Sequence, residues 1–212
     1  LRPATAAGAD GPANLLAAVR VAASPRARAR GCLVVMSDAI LGARDVTKTH
    51  TTAPDAFRSR GAGPLGYLSK NQAYFFAPPP SGRRPRFDLG KRASLPKVDI
   101  VYAHAGMGRH LVDAAVAAGA RGVVLAGVGN GNAAQEVLEA LDDARSKGVL
   151  VVRSSRTGSG RVDRNMEVDD DARGFVAGYD LSPQKARVLL QLLLTQTDEP
   201  VRAQQHFERL RP

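Results

Sequence analysis

The chain has 212 residues, 44% hydrophobic and 24% charged, with a formal net charge of +10. That is enough apolar material for one large or two small domains, and it excludes a disordered chain. One cysteine, Cys32, excludes a disulfide framework and a cysteine-built zinc site, and 5% aromatics without tryptophan argue against stacking platforms for single-stranded nucleic acid.

In chain order, the segment Asp10-Gly-Pro12 opens a helix, with Asp10 as cap and Pro12 in the first turn. Leu15, Leu16, Val19 and Ala22 or Ala23 follow at helical spacing and are predicted to face inward. Residues 25–30 are a polar, Pro/Arg-rich connector. The run Cys32–Met36 is apolar throughout and reads as a buried strand with helices on both faces, Cys32 packing there as a small apolar residue. Residues 37–66 are polar and show no period, so a long functional loop is expected. Tyr67–Ala77, with Lys70-Asn71 at its centre, reads as a hairpin. Pro78-Pro-Pro80, Ser81-Gly82 and the basic run up to Lys97 read as a linker.

From Val98 the rhythm is strand, helix, strand. Strands are predicted at Asp99–Tyr102, Gly122–Ala126 and Val149–Val152. Helices are predicted at Leu111–Ala118, Ala133–Ser146, Pro183–Thr195 and Glu199–Leu210, with Gly119 and Gly148 closing the first two. Such alternation implies a parallel sheet with crossover helices, and sites in such sheets sit in loops beyond the strand C-termini. Residues 37–66, 127–132 and 153–171 are the three loops that qualify. No stretch is apolar for long enough to span a bilayer.

Three constellations can carry chemistry. Gly127-Val-Gly-Asn-Gly-Asn132 lies where a phosphate-binding turn would, but the dinucleotide fingerprint needs glycine at Asn132, and the next strand runs into Arg153 instead of an acidic ribose ligand. The turn can instead present Asn130 or Asn132 as an amide ligand, or use asparagine as a helix cap. Glu167-Val-Asp169-Asp170-Asp171 is an acidic loop that could take a substrate ammonium; its spacing is not that of an EF-hand, and Asp170 and Asp171 are expected to be solvated. Lys48 stands among Thr47, Thr49, Thr51 and Thr52 with Asp45 three residues before, a setting in which a lysine can move protons for a hydroxyl. His50, His104, His110 and His206 have no metal-ligand spacing, and no serine-nucleophile elbow occurs. Arginine supplies 24 of the 30 basic residues, clustered at Arg20, Arg26, Arg28 and Arg30 and again at Arg83, Arg84, Arg86, Lys91 and Arg92. A solvated cationic surface is the expected outcome.

Asp45-Val-Thr-Lys-Thr-His-Thr-Thr52 followed by Gly63-Pro-Leu-Gly-Tyr67 resembles the bacterial type II L-asparaginase and glutaminase-asparaginase family. Four further blocks resemble it in the same order: Arg2-Pro3 with Ala9-Asp-Gly-Pro12, Ala126–Asn132, Val151-Val-Arg-Ser-Ser-Arg156 and Leu181–Leu190. The resemblance runs over essentially the whole chain. It implies an α/β fold in which residues 1–77 are the parallel-sheet remainder of the large N-terminal domain, residues 78–95 a linker and residues 96–212 the smaller C-terminal α/β domain. It also implies hydrolysis of the side-chain amide of L-asparagine, and often of L-glutamine, by a threonine nucleophile with no cofactor and no metal.

By the same resemblance, Lys48 matches the catalytic lysine of a threonine–lysine–aspartate proton relay. Asn132 and Glu167 match two residues lent to the neighbouring subunit's site, Glu167 for the substrate α-amino group, in homotetramers built from intimate dimers. The family's Thr-Gly-Gly-Thr-Ile-Ala motif, flap tyrosine and Gly-Thr-Asp-Thr block have no match here and would precede Leu1. The 212 residues are therefore expected to lack the nucleophile and to be inactive alone, and residues 1–77 to expose apolar surface. The family is often periplasmic, with a cytoplasmic location as the alternative; no targeting signal is read at the N-terminus. A non-catalytic α/β module that binds amino acids or a partner subunit is the competing reading, and nucleic-acid binding is a weaker third, without interleaved aromatics or a motif.

Overall fold

The computed structural model describes residues 2–80 and 85–210. Arg83 and Arg84 of the second basic cluster, and part of the expected linker, lie outside the described residues. The chain divides into two compact units, Leu1–Arg83 and Arg84–Pro212.

In the first unit, α1 (Gly11–Ala23) is followed by a single 3-10 turn at Pro25–Ala27 and by six short strands: β1 (Leu33–Met36), β2 (Ala39–Gly42), β3 (Val46–Lys48), β4 (Phe57–Ser59), β5 (Gly66–Ser69) and β6 (Gln72–Phe75). The order β1-β2-β5-β6 is antiparallel throughout, and β3 and β4 form a separate hairpin. This corrects the reading of Cys32–Met36 as a buried strand with helices on both faces. The physical reason is a two-residue turn. Ser37 and Asp38 both take positive φ, 48° and 59°, as the tight hairpin turn with right-handed strand twist requires. The Ser37 amide donates to Asn14 Oδ1 at 2.9 Å and its hydroxyl to the Pro54 carbonyl at 3.0 Å, so tertiary contacts hold a turn that Ser-Asp would not choose locally. Cys32, placed before the strand, is exposed. The expected long loop 37–66 in fact contains β2, β3 and β4.

Helix α1 also turns differently from its predicted register. Ala17 and Val21 are buried against Val35, Ile40, Leu68 and Ala73, while Leu15 and Val19 are 68% and 57% exposed. The helix is apolar on two stripes, and the sheet takes the one with smaller side chains. Asp10 sits at the cap position but accepts the Arg2 amide at 2.8 Å instead of a helix amide. The hairpin at residues 67–77 forms as expected, with Lys70 and Asn71 at φ 45° and 68°.

The second unit is a parallel sheet with helices on both faces. Its elements are β7 (Val98–Tyr102), α2 (His110–Ala117), β8 (Gly122–Gly127), α3 (Gln135–Ser146), β9 (Leu150–Ser155), α4 (Asp170–Arg173), β10 (Val176–Ala177), α5 (Pro183–Leu193) and α6 (Pro200–Arg209). The sheet order is β10-β9-β8-β7, every pair parallel. Val123, Leu125 and Val151 point to α2 and α3, packing on Val112, Val137 and Leu141. Val124, Leu150 and Val152 point to the opposite face, onto Ala186, Leu190, Leu193 and Phe207. Burial on both faces is why β8 and β9 read as continuous apolar runs. The short β10 and the one-turn α4 add to the elements expected from the pattern. Ser182 caps α5 by accepting the Lys185 amide, and Gly119 and Gly148, both at φ +81°, follow the ends of α2 and α3.

Candidate active-site elements

Beyond the C-terminal ends of β8 and β9, the loops that follow these two strands come together. In the first, Val128 and Asn132 form an antiparallel bridge, with amide–carbonyl bonds of 2.8 and 2.9 Å in both directions. Gly129 and Gly131 take φ +48° and +76° inside this loop. A Cβ on Gly127 would lie 2.4 Å from the Gly131 carbonyl carbon, so only glycine fits beneath it. The segment is thus a closed bulge folded back on its strand, and α3 starts later, at Gln135 with Ala134 in the cap position. Asn132 is not the helix cap. Its Oδ1 accepts the Ala133 amide at 2.8 Å, and its Nδ2 donates to Glu167 Oε2 at 3.2 Å.

Glu167 is exposed, in the loop that follows β9. Two of the three sequence-predicted site residues therefore meet, although 35 positions separate them. Asn130, the other asparagine the pattern could have offered, is committed elsewhere: its Oδ1 accepts the Asp163 amide at 2.7 Å.

The acidic cluster splits in a way its sequence does not reveal. Asp169 caps α4 by accepting the Ala172 amide at 2.9 Å. Asp171 is exposed and pairs with Arg164 and with Asn165; these hydrogen bonds, Asn165 first, hold its carboxyl below the usual carboxylate range. Asp170 is fully buried, which corrects the expectation of a solvated side chain. It forms a two-pronged ion pair with the equally buried Arg153, both bonds at 2.6 Å. Arg153 sits inside an apolar run of β9, where a cation needs a partner. That was the one sequence signal pointing to a buried acid, and spacing could not say which acid.

Lys48 belongs to the first unit. It ends β3, paired across the hairpin with Phe57, and is exposed. Among the described residues no hydrogen bond or ion pair holds its ammonium group. Asp45 turns instead to the Ser59 hydroxyl and the Gly61 amide. His50 Nδ1 accepts the amides of Thr52 and Ala53 at 3.1 and 3.0 Å, closing the hairpin's tip. Thr49 Oγ1 donates to the Ala56 carbonyl at 3.1 Å. Among the described residues no group of three or more His, Cys, Asp or Glu side chains could hold a metal ion, and no helix is long and apolar enough to cross a membrane.

A two-unit α/β chain with a lysine-bearing hairpin in one unit and an asparagine–glutamate pair in the other corresponds to a recognised pair of domains. Residues 1–81 match the family model described as asparaginase, N-terminal, and residues 97–207 that of the glutaminase/asparaginase C-terminal domain. The chain belongs to the asparaginase family. It is 49% identical to a probable periplasmic L-asparaginase of Haemophilus influenzae and 47% identical to L-asparaginase 2 of Escherichia coli, over 98% of this chain and 60% of each relative. It is 40% identical to a glutaminase-asparaginase of Pseudomonas fluorescens, over 98% of this chain and 58% of the relative. The chain thus spans about three fifths of the length of these relatives.

Proposed function

We propose that these 212 residues are part of an amidohydrolase that converts L-asparagine, with L-glutamine as a second candidate substrate, to the acid and ammonia. The observation that carries the reading is the Asn132–Glu167 pair, set in a chain with 47–49% identity to L-asparaginases. In this reading residues 1–77 belong to the N-terminal domain, residues 78–95 link the two parts, and residues 96–212 are the small domain. Lys48 moves a proton for a threonine nucleophile that is not among the 212 residues; an exposed ammonium is chemically suited to that role once a hydroxyl and a carboxylate face it. Glu167 receives the substrate α-amino group as a charge-assisted hydrogen bond, and Asn132 holds the carboxylate's orientation. Both are lent to a neighbouring copy's site in a homodimer or homotetramer. The name of the Haemophilus relative supports a periplasmic location.

A chimera tests this. The chain is fused behind the part of the Escherichia coli relative that precedes the matched region, and ammonia release from L-asparagine and L-glutamine is measured. Turnover that Lys48→Met and Glu167→Ala each abolish is expected. A folded chimera that releases ammonia from neither amide refutes the assignment. The 212 residues alone are expected to be inactive, because a nucleophile must be positioned beside its activator. Steady turnover by them, lost in Lys48→Ala, would instead point to Thr47 or Thr49.

A further inference from the structure

All five N–H donors of Arg153 are used, and they reach three separate stretches of chain. Nε and Nη2 grip the Asp170 carboxylate at the start of α4, both at 2.6 Å. Nη1 donates to the carbonyls of Asn130 and Gly131 at 2.8 and 3.3 Å, inside the bulge that carries Asn132. Nη2 also donates to the Asp163 carbonyl at 3.2 Å, at the start of the stretch that carries Glu167. Asp170 Oδ2 accepts the Asn165 amide at 2.9 Å. Glu167 therefore lies between anchors on both sides, at Asp163 and Asn165 before it and at Asp170 after it. Asn132 is one residue beyond the Gly131 anchor. The Asn130–Asp163 bond closes the frame between the two loops. Gly131 completes it, since a Cβ there would come within 2.9 Å of Val162 and 3.2 Å of Arg153.

We propose that Arg153 is a positioning residue: its buried guanidinium, neutralised by Asp170, sets the distance and orientation at which Asn132 and Glu167 face substrate. The proposal rests on the reading of Asn132 and Glu167 as substrate ligands. A lysine would keep the charge but has three donors on a single nitrogen and cannot span the three stretches. Sheet packing does not need this cation, because β9 is buried by Val151 and Val152 on its two faces. The fork's specific contribution is loop geometry.

The experiment is a double-mutant cycle read by NMR on the whole 212-residue chain, with no substrate and no turnover required. The probe is the side-chain amide resonance of Asn132. Glu167→Gln changes the group that this amide donates to, so it shifts the resonance in the otherwise unaltered chain. In the Arg153→Lys background that response is lost, while amides of β8, β9 and α5 keep their protection from exchange. Should Arg153→Lys fail to fold, Arg153→Met/Asp170→Leu removes both charges together and leaves none orphaned; the same loss of response is expected. An equal response to Glu167→Gln with and without the fork overturns the proposal, and so does a resonance that ignores Glu167→Gln from the start. Because the cycle reads geometry, it can succeed where the hydrolase assay fails, and the reverse.

Discussion

Asp170 and Asp171 are neighbours with opposite energetic weight, and substituting each in turn measures it. Asp170→Ala removes the carboxylate paired with a guanidinium of zero exposure, deletes both 2.6 Å bonds and leaves the Asn165 amide without its acceptor. Breaking one side of a fully buried ion pair costs about 3–5 kcal/mol, because the remaining charge is stranded in low dielectric. With a urea dependence of roughly 2 kcal/mol per molar, the unfolding midpoint of the second unit falls by about 2 M. Asp171→Ala removes an exposed carboxylate whose partners return to water, so its midpoint stays with that of the unaltered chain. The assay is urea unfolding by far-ultraviolet circular dichroism, assigned to the second unit by exchange of β8 and β9 amides. Adding Arg153→Met to Asp170→Ala should recover much of the loss, since no charge is then stranded. A loss below about 1 kcal/mol for Asp170→Ala, or equal losses for the two aspartates, would refute the account of Arg153 as a buried, paired cation.

Gly127→Ala forces a methyl against backbone 2.4–2.7 Å away, on Gly131 and Asn132. It is expected to cost about 1–3 kcal/mol and to open the Val128–Asn132 bridge, seen as fast exchange of those two amides. Cys32 should react with a thiol reagent in the native chain at nearly the rate of a free thiol, because it is exposed; protection until unfolding would restore the buried-strand reading. His206 Nδ1 is buried without a hydrogen-bond partner among the described residues, and burial, then the nearby Arg209, push its pKa below the ordinary 6.5. The unfolded chain therefore takes up the proton first as pH falls, and the stability present above 6.5 declines below it. The Tm of the second unit should drop from pH 7.5 to about 5.5, and His206→Gln should flatten that slope.

In the second unit, the residue pattern determined nearly every element. Its strands are buried on both faces and its helices on one, so apolar runs and helical periods survive in the linear order, with Gly119, Gly148 and Ser182 marking ends. The hydrogen bond between Asn132 and Glu167 joins two residues that the ordered motifs had singled out.

Only the tertiary structure decided three matters. Strand direction in the first unit depends on the Ser37-Asp38 turn, which is held by Asn14 and Pro54 and not by its own preference. The buried stripe of α1 was a choice between two apolar faces, and the sheet it meets settled that choice for Ala17 and Val21. The division of labour among Asp169, Asp170 and Asp171 depended on where a cation from β9 emerges. Adjacent residues on a short helix point in different directions, so one aspartate caps, one is buried on Arg153 and one meets solvent. Charge along a sequence carries no direction, and burial is a property of what packs from elsewhere in the chain.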